Sequence, residues 1–482
     1  MRSSSSGCET STVSSLHDEY LRRAAELLVQ AAWTGSASNS FADFESRLYA
    51  AANEAVRRRL QAQLQEIADG HAAELRVDDI AYRQHEPGQV EYHTLVGKVE
   101  VRRWTYRRVG VRNSATIVPL ELSTGIVHRA TPALAYSVAL GYAAGPMRHY
   151  EQQLKAAHRA PPPRATLERL ATRIGGCAAQ DTVKIEAQLR PSETMAKGAQ
   201  AIAVSLDRTS VAMAEERPPN APPNSRRRPR TEPYQRRKPH PIDVNWRMIY
   251  VGTVSLVDAC GEVITTRKYH ATPEEGAEEI TPRMMADVVH WRSQRPLPVV
   301  VVQDGAAEMW NEIRDALRRV GVQRWTEVLD RFHADEHLAA ALELIEPDQA
   351  QRRLRLEQWR QSLDESDGAA NRICRWLDAQ WRALSPGSRK WKDLGGHVTY
   401  LMNHGPQMKY SRFRRLALPI ASGPVEGACK SLVACRAKRS GQRWKQDGLT
   451  AVLTLRALEL SERFRPFWEI FEQRFCAQIA AA

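Results

Sequence analysis

The sequence predicts an α/β protein (α+β overall). It calls for a mixed sheet with helices on its faces, interrupted by a helical insertion and preceded by a helical and small-β region. Three observations carry this. Val299 to Val302, in PLPVVVVQDGAAEMW, is an unbroken β-branched run, the pattern of a central strand covered on both faces. From Gln200 to Ile345 the texture reads strand, strand, strand, helix, strand, helix, strand, helix. A chain of 482 residues with 43% hydrophobic content exceeds one ordinary core, so two or three folding units are expected.

Taken in order, MRSSSSGCETSTVSS lacks an apolar run and reads as a disordered tail over residues 1–15, not as a secretory signal. Residues 16–199 form a helical and β-hairpin region. LHDEYLRRAAELLVQAAW and FADFESRLYAAANEAVRRRLQAQLQEIADG carry apolar residues at three-and-four spacing, with arginines between them. Around YHTLVGKVEVRRWTYRRVGV the period shifts toward alternation and predicts a short hairpin or small sheet, with a basic face that suits phosphates or plain solvent. Between Pro132 and Gly176 come helix, glycine break, helix, Pro-Pro-Pro turn and helix. That order fits a helix-turn-helix whose last helix enters a major groove, and equally a plain bundle.

The core opens with AIAVSL, an apolar strand ending on Asp207, and its first part runs over residues 200–346. The segment 215–246, rich in Pro and Arg and poor in apolar residues, predicts a mobile basic loop. RMIYVGTVSLVDACGEVITTRKYHA gives two strands about a turn at Cys260-Gly261. A helix over roughly 272–295 then leads to the valine strand. Residues 347–418 are helical, charged and tryptophan-rich, and read as an insertion. Residues 419–465 read as two helices broken near Gly441, and 466–482 as a C-terminal tail.

The net charge of +13 favours polyanionic partners, although a merely basic enzyme has the same balance. Seven scattered cysteines without a CxxC pair suit a reducing compartment and give no zinc ribbon. No apolar stretch reaches the roughly 20 residues that span a bilayer, so no membrane span is expected.

Asp207 and Asp304 both follow apolar strands, where open α/β sheets place ligands. Glu426 lies in the first turn of a helix begun by SGPVEG, with Ser422 as a capping candidate. Three carboxylates so placed could hold divalent cations, and hard oxygen donors suit Mg²⁺ or Mn²⁺. The plainer alternative is that the aspartates cap loops and Glu426 favours the helix dipole.

Asp207 in SLDRTSV, Asp304 in VVQDGA, the string LDRFHADEHL and above all SGPVEGACKSLVACRAKRSGQRWKQDGLTAVLTLRAL resemble the ISKra-type insertion-sequence transposases. The resemblance covers roughly residues 200–465, and the hairpin with LVGKVEVRR fits the N-terminal part of such enzymes. It implies an RNase H-like core split by a helical insertion. It also implies a DDE triad in which Asp207 and Asp304 are the aspartates and Glu426 the glutamate. By that likeness the chain would cut element ends and join the freed 3′ hydroxyl to target DNA, in a cytoplasmic, nucleoid-associated setting. A departure is Arg208, directly after the first aspartate, where it could pair with Asp207 or bind phosphate.

Further candidates surround this set. Lys430, Arg436, Lys438, Arg439, Arg443 and Lys445 could line a DNA path, with Trp444 stacking on a base, or they could be a solvated helix face. Arg226, Arg227 and Arg228 belong to the basic loop. His333 is assigned to phosphate contact. With His337 four residues on it also has zinc-like spacing, with Asp330 or Asp335 nearby, but no third strong ligand is apparent. The expected partners are double-stranded DNA (element ends and target) and further copies of the chain. Two rival expectations are a nuclease of the same fold that never joins strands, and a non-catalytic DNA-binding protein.

Overall fold

The computed structural model describes residues 40–217 and 242–481, together with positions 22, 23, 26, 28 and 30 of an N-terminal helix. The predicted tail, most of the first predicted helix, and residues 218–241 with Arg226, Arg227 and Arg228 lie outside the described residues. The chain divides into two compact units, residues 1–178 with 464–482, and residues 179–463.

In the first unit, α1 (Phe41–Asp69) starts at a capping box. The Ser40 hydroxyl accepts the Asp43 N–H, and the Asp43 carboxylate accepts the Ser40 N–H. Its Leu64 and Ala68 pack with Tyr92, Val99 and Val101. Those three come from the predicted hairpin, whose strands β2 (Ile80–Thr94) and β3 (Gly97–Arg108) alternate buried apolar positions with exposed Arg102, Arg107 and Arg108. β1 (Glu74–Val77) and β4 (Thr116–Ile117) extend the antiparallel sheet.

After α2 (Pro119–Thr124), a short helix the sequence reading does not include, α3 (Pro132–Ala144), α4 (Met147–Ala156) and α5 (Arg164–Gln180) follow as the periodicity predicts. The links from α3 to α4 and from α4 to α5 cover residues 145–146 and 157–163. Neither is the three- to four-residue turn of a helix-turn-helix.

The expected C-terminal tail is instead structured. After the second unit the chain returns as α15 (Phe464–Gln473), whose Phe464, Phe467, Trp468 and Phe471 are buried, and β10 (Ile479–Ala481) pairs with β1. An amphipathic face and a free strand edge explain why it folds here.

The second unit begins earlier than residue 200. α6 (Thr182–Leu189) belongs to it because the buried Glu186 takes a hydrogen bond from Arg283 at 2.6 Å. Its five-stranded sheet has the order β7-β6-β5-β8-β9, with β5 (Ala201–Glu216), β6 (Ile242–Val257), β7 (Val263–His270), β8 (Val299–Gln303) and β9 (Thr326–Leu329). β6 runs antiparallel to β5 and β7, whereas β8 is parallel to both β5 and β9.

Alternation sorts the two faces. Ile202, Val204, Leu206, Val299 and Val301 pack on α7 (Thr281–Gln294) and α8 (Ala307–Arg319). Ala201, Ala203, Val300, Val302 and Val328 pack on α9 (Arg331–Ile345) and the helices α10 (Gln349–Glu365), α11 (Ala369–Arg382), α12 (Arg389–Asn403) and α13 (Tyr410–Arg415). The tryptophan-rich segment after Pro347 therefore covers one face of the sheet.

Two strand expectations change. β5 does not end on Asp207; it continues to Glu216 against β6, which starts at Ile242, so the basic connection is shorter than 215–246. Polar alternation in TSVAMAEE and IDVNWRM suffices for a two-stranded extension, although such strands lack the apolar run that marked β8.

His270, at the end of β7, is buried, with Nε2 3.3 Å from Thr454 Oγ1. Burial, then the charge of Arg283, holds its imidazole down at about 3, against 6.5 when unfolded. The folded state refuses a proton that the unfolded state takes, so this contribution is complete above pH 6.5 and lost as pH falls toward 3. Urea titrations at pH 7 and 5 are expected to show His270→Gln sparing about 2 kcal/mol of the loss seen in the parent. Equal pH sensitivity in both proteins would contradict the assignment.

Candidate metal centre

Register places the acids before any side chain is considered. β5 pairs with β8 through Val204 opposite Val301, and β8 with β9 through Gln303 opposite Leu329. Continuing both ladders aligns Asp207, Asp304 and Asp330 on three neighbouring strands, spaced by about 4.8 Å each. All three share the parity of Ala203, Val302 and Val328, so they leave the sheet on the α9–α13 face.

Glu426 reaches this face from α14 (Gly423–Ala428), which continues through a π-helical turn (Cys429–Ala434) into a short turn (Cys435–Ala437). Inserted π turns of this kind are frequent at functional sites. Here the turn carries Cys429, whose thiol donates to Asp207 Oδ2 at 3.3 Å.

The predicted aspartates are held by uncharged donors. Asp207 Oδ1 accepts the Arg208 N–H at 2.6 Å. Asp304 Oδ1 accepts the Ala306 N–H at 3.0 Å, and the Tyr400 hydroxyl donates to the Asp304 carbonyl. Gly305, at φ +97°, makes the turn; a Cβ there would meet the Tyr400 ring. Burial pushes the Asp207 carboxyl up. The Arg208 N–H and the Cys429 thiol oppose that rise, while the negative charges of Asp304 and Glu426 add to it.

Asp330 is the acid whose role the sequence reading missed, although it too follows a strand. It is fully buried and caps α9, accepting the His333 N–H at 2.9 Å, with His333 Nδ1 at 3.2 Å. Burial alone would raise it; the His333 and Ser422 hydrogen bonds outweigh that and bring it to about 2. The hydrogen bond with Asp330 lifts His333 to about 9. Among the described residues, the ligand atoms lying within 4.8 Å of one another are those of Asp330, His333 and Glu426. The predicted trio is not drawn that tight.

The zinc spacing of His333 and His337 does not assemble. His337 stacks on Tyr400, its Nδ1 lies 3.0 Å from His397 Nδ1, and burial followed by the His397 charge lowers it to about 4.

The basic string divides by exposure. Lys430, Lys438, Arg439, Arg443 and Lys445 are exposed, and Lys438 Nζ donates to Thr209 Oγ1. Arg436 and Trp444 are buried, which corrects their assignment to DNA. The guanidinium lies 5.0 Å over the indole, and the indole N–H donates to the Ala437 carbonyl. The Trp444 backbone also bonds both ways to β5, at Ala212 and Ala214. Arg208 pairs with Glu308, not with Asp207. Trp246, assigned by sequence to the basic loop, stands 66% exposed on β6 beside Val244 and Met248, also exposed. Strand parity would have revealed that stripe had the extension been recognised.

The donor chemistry fits a divalent ion at Asp207, Asp304 and Glu426. They offer hard oxygens, on a face where burial, with a smaller push from neighbouring carboxylates, raises Asp207, while the nearby Arg208 and Lys438 turn to other partners. No protein-family model matches this chain, and no curated protein matches it.

Proposed function

We propose that the chain is a DDE-type transposase with an RNase H-like core, cutting and joining DNA at the ends of its element. The observation that carries the reading is the placement of Asp207 and Asp304 side by side on adjacent parallel strands, with Glu426 on the same face. A central strand flanked by an antiparallel pair on one side and two parallel strands on the other supports the RNase H-like assignment. The motif resemblance over residues 200–465 supports the rest.

Asp207, Asp304 and Glu426 would hold Mg²⁺ or Mn²⁺. The bound metal would supply activation of the attacking hydroxyl and stabilisation of the leaving oxygen. The chain's own contribution is to fix the carboxylates on rigid strand ends and to present phosphate-binding cations beside them. Joining two element ends calls for more than one copy of the chain on DNA, at the nucleoid.

The test uses DNA flanking the gene as a pre-cut donor end, with a target plasmid and Mg²⁺ or Mn²⁺. Joined donor–target product supports transposition. Hydrolysis alone would make the chain a nuclease of the same architecture, and chelator-resistant binding without cleavage a DNA-binding protein.

The exposed cations give a second expectation. Lys438→Ala, Arg439→Ala and Arg443→Ala together should weaken DNA binding and flatten the log K against log salt slope by about 2.7, at about 0.9 per phosphate contact. An unchanged slope in fluorescence-anisotropy titrations would remove these residues from the DNA path.

A further inference from the structure

Among the parallel strand ends, Asp330 differs from Asp207 and Asp304 in what its oxygens already do. Oδ1 accepts the His333 N–H, and Oδ2 accepts the backbone N–H of Ser422, 92 residues further along the chain. The Arg331 N–H donates to the Ile420 carbonyl at 2.9 Å, so two adjacent residues of the β9–α9 junction hold the segment that enters α14. Ser422 is buried, and its hydroxyl donates to Glu426 Oε1 at 3.1 Å. The Glu426 N–H in turn donates to the Ser422 carbonyl.

We propose that Asp330 and Ser422 form a positioning relay that sets where the Glu426 carboxylate points, with Asp330 a positioning residue and not a cation ligand. A relay to Glu426 has consequences for catalysis only under the transposase reading. Its geometric part stands by itself.

The physical argument is one of occupancy. A buried carboxylate that accepts hydrogen bonds at both oxygens has its charge compensated by those donors, and an ion would have to displace them. Asp207 and Asp304 sit on the same level of the sheet and take N–H donors from their own turns, at Arg208 and Ala306. The second oxygen of the half-buried Asp207 meets only the Cys429 thiol, a weak donor at 3.3 Å that an ion displaces more easily than a backbone N–H. Asp330 likewise gives Oδ1 to its own turn, at the His333 N–H, but commits Oδ2 to a backbone N–H of a distant segment. That segment ends one helical turn before Glu426, where a fixed Ser422 backbone presents its hydroxyl to the glutamate.

Ser422→Ala tests this with little risk to folding, because it removes one oxygen and leaves the three backbone hydrogen bonds of residue 422, from its N–H to Asp330 and to its carbonyl from Val425 and Glu426. Ser422→Thr restores the hydroxyl. Crystal structures of both variants, and cleavage kinetics on the pre-cut donor end with Mn²⁺, supply independent readings. In the alanine variant Glu426 is expected to leave its present position. The kcat should fall on the order of tenfold with KM for DNA unchanged, and threonine should restore both. Glu426 unmoved in Ser422→Ala, or equal losses in the alanine and threonine variants, would overturn the relay. A parent protein that never cleaves DNA would sink the transposase reading instead, leaving the crystal structures to decide the relay.

Discussion

Asp304→Asn is expected to lower Mg²⁺-dependent DNA cleavage by at least ~10³-fold, equivalent to about 4 kcal/mol of lost transition-state stabilisation. The substitution is nearly isosteric. The side-chain oxygen can still accept the Ala306 N–H, and the Tyr400 hydroxyl still reaches the backbone carbonyl of residue 304. The turn therefore survives while one unit of negative charge disappears from the face shared with Asp207 and Glu426. DNA affinity, measured without divalent metal, is expected to stay within about threefold, because the proposed reading assigns phosphate contacts to the exposed cations around Lys438. Melting temperature should remain close to that of the parent. Cleavage at the parental rate in a well-folded Asp304→Asn protein would remove this acid from the chemistry, and with it the case for a shared cation.

The largest expected stability effect lies away from the acids. Asp287 on α7 is almost wholly buried, with Arg190 Nε at 2.6 Å and Arg463 at 2.9 Å, and it accepts the Tyr269 hydroxyl. Arg463 also donates twice to Glu193 at 2.7 Å. Burial would raise the Asp287 carboxyl, but the Arg463 charge and the hydrogen bonds from Arg463 and Tyr269 hold it low. Removing one member of such a set strands the opposite charges in a poorly solvated interior, so Asp287→Ala should cost about 3–5 kcal/mol. For a unit of this size that corresponds to roughly a 10 °C fall in melting temperature. The control is Asp315→Ala. Its partner Arg318 lies at 2.7 Å, but both side chains are 62% exposed, so the loss should be under about 1 kcal/mol. Similar melting temperatures for the two variants would mean the buried network contributes no more than a surface pair. The same network explains why α6 belongs with the second unit. Glu186 and Arg190 on or beside that helix are tied to Arg283 and Asp287, which a reading of helical periodicity cannot reveal.

Single-residue fates around the acids show how far local pattern reaches. Arg436 and Arg439 look alike in the string CRAKRSGQRWK, yet one is buried over Trp444 and the other is exposed. The break at 438–445 has no period to extrapolate, so inside and outside are settled by the Trp444 backbone bonding to β5. The sequence pattern ends β5 at Asp207, nine residues short of Glu216, because its extension is polar and its pairing residues come from beyond the Pro- and Arg-rich segment.

By itself, the sequence determined the mixed α/β class, the valine strand with Asp304 at its carboxyl end, the hairpin of the first unit and the helical character of the segment after Pro347. Each is a matter of apolar period, which a chain carries locally because burial of one face needs residues at fixed spacing. Only the tertiary structure decided that Asp207 stands beside Asp304, that Asp330 is spent on Ser422, that Trp444 is inside, and that the C-terminal helix returns to the first unit. Those outcomes depend on strand register and on hydrogen-bond partners some 90 or more residues away, and no local pattern encodes which distant donor will satisfy a buried acceptor.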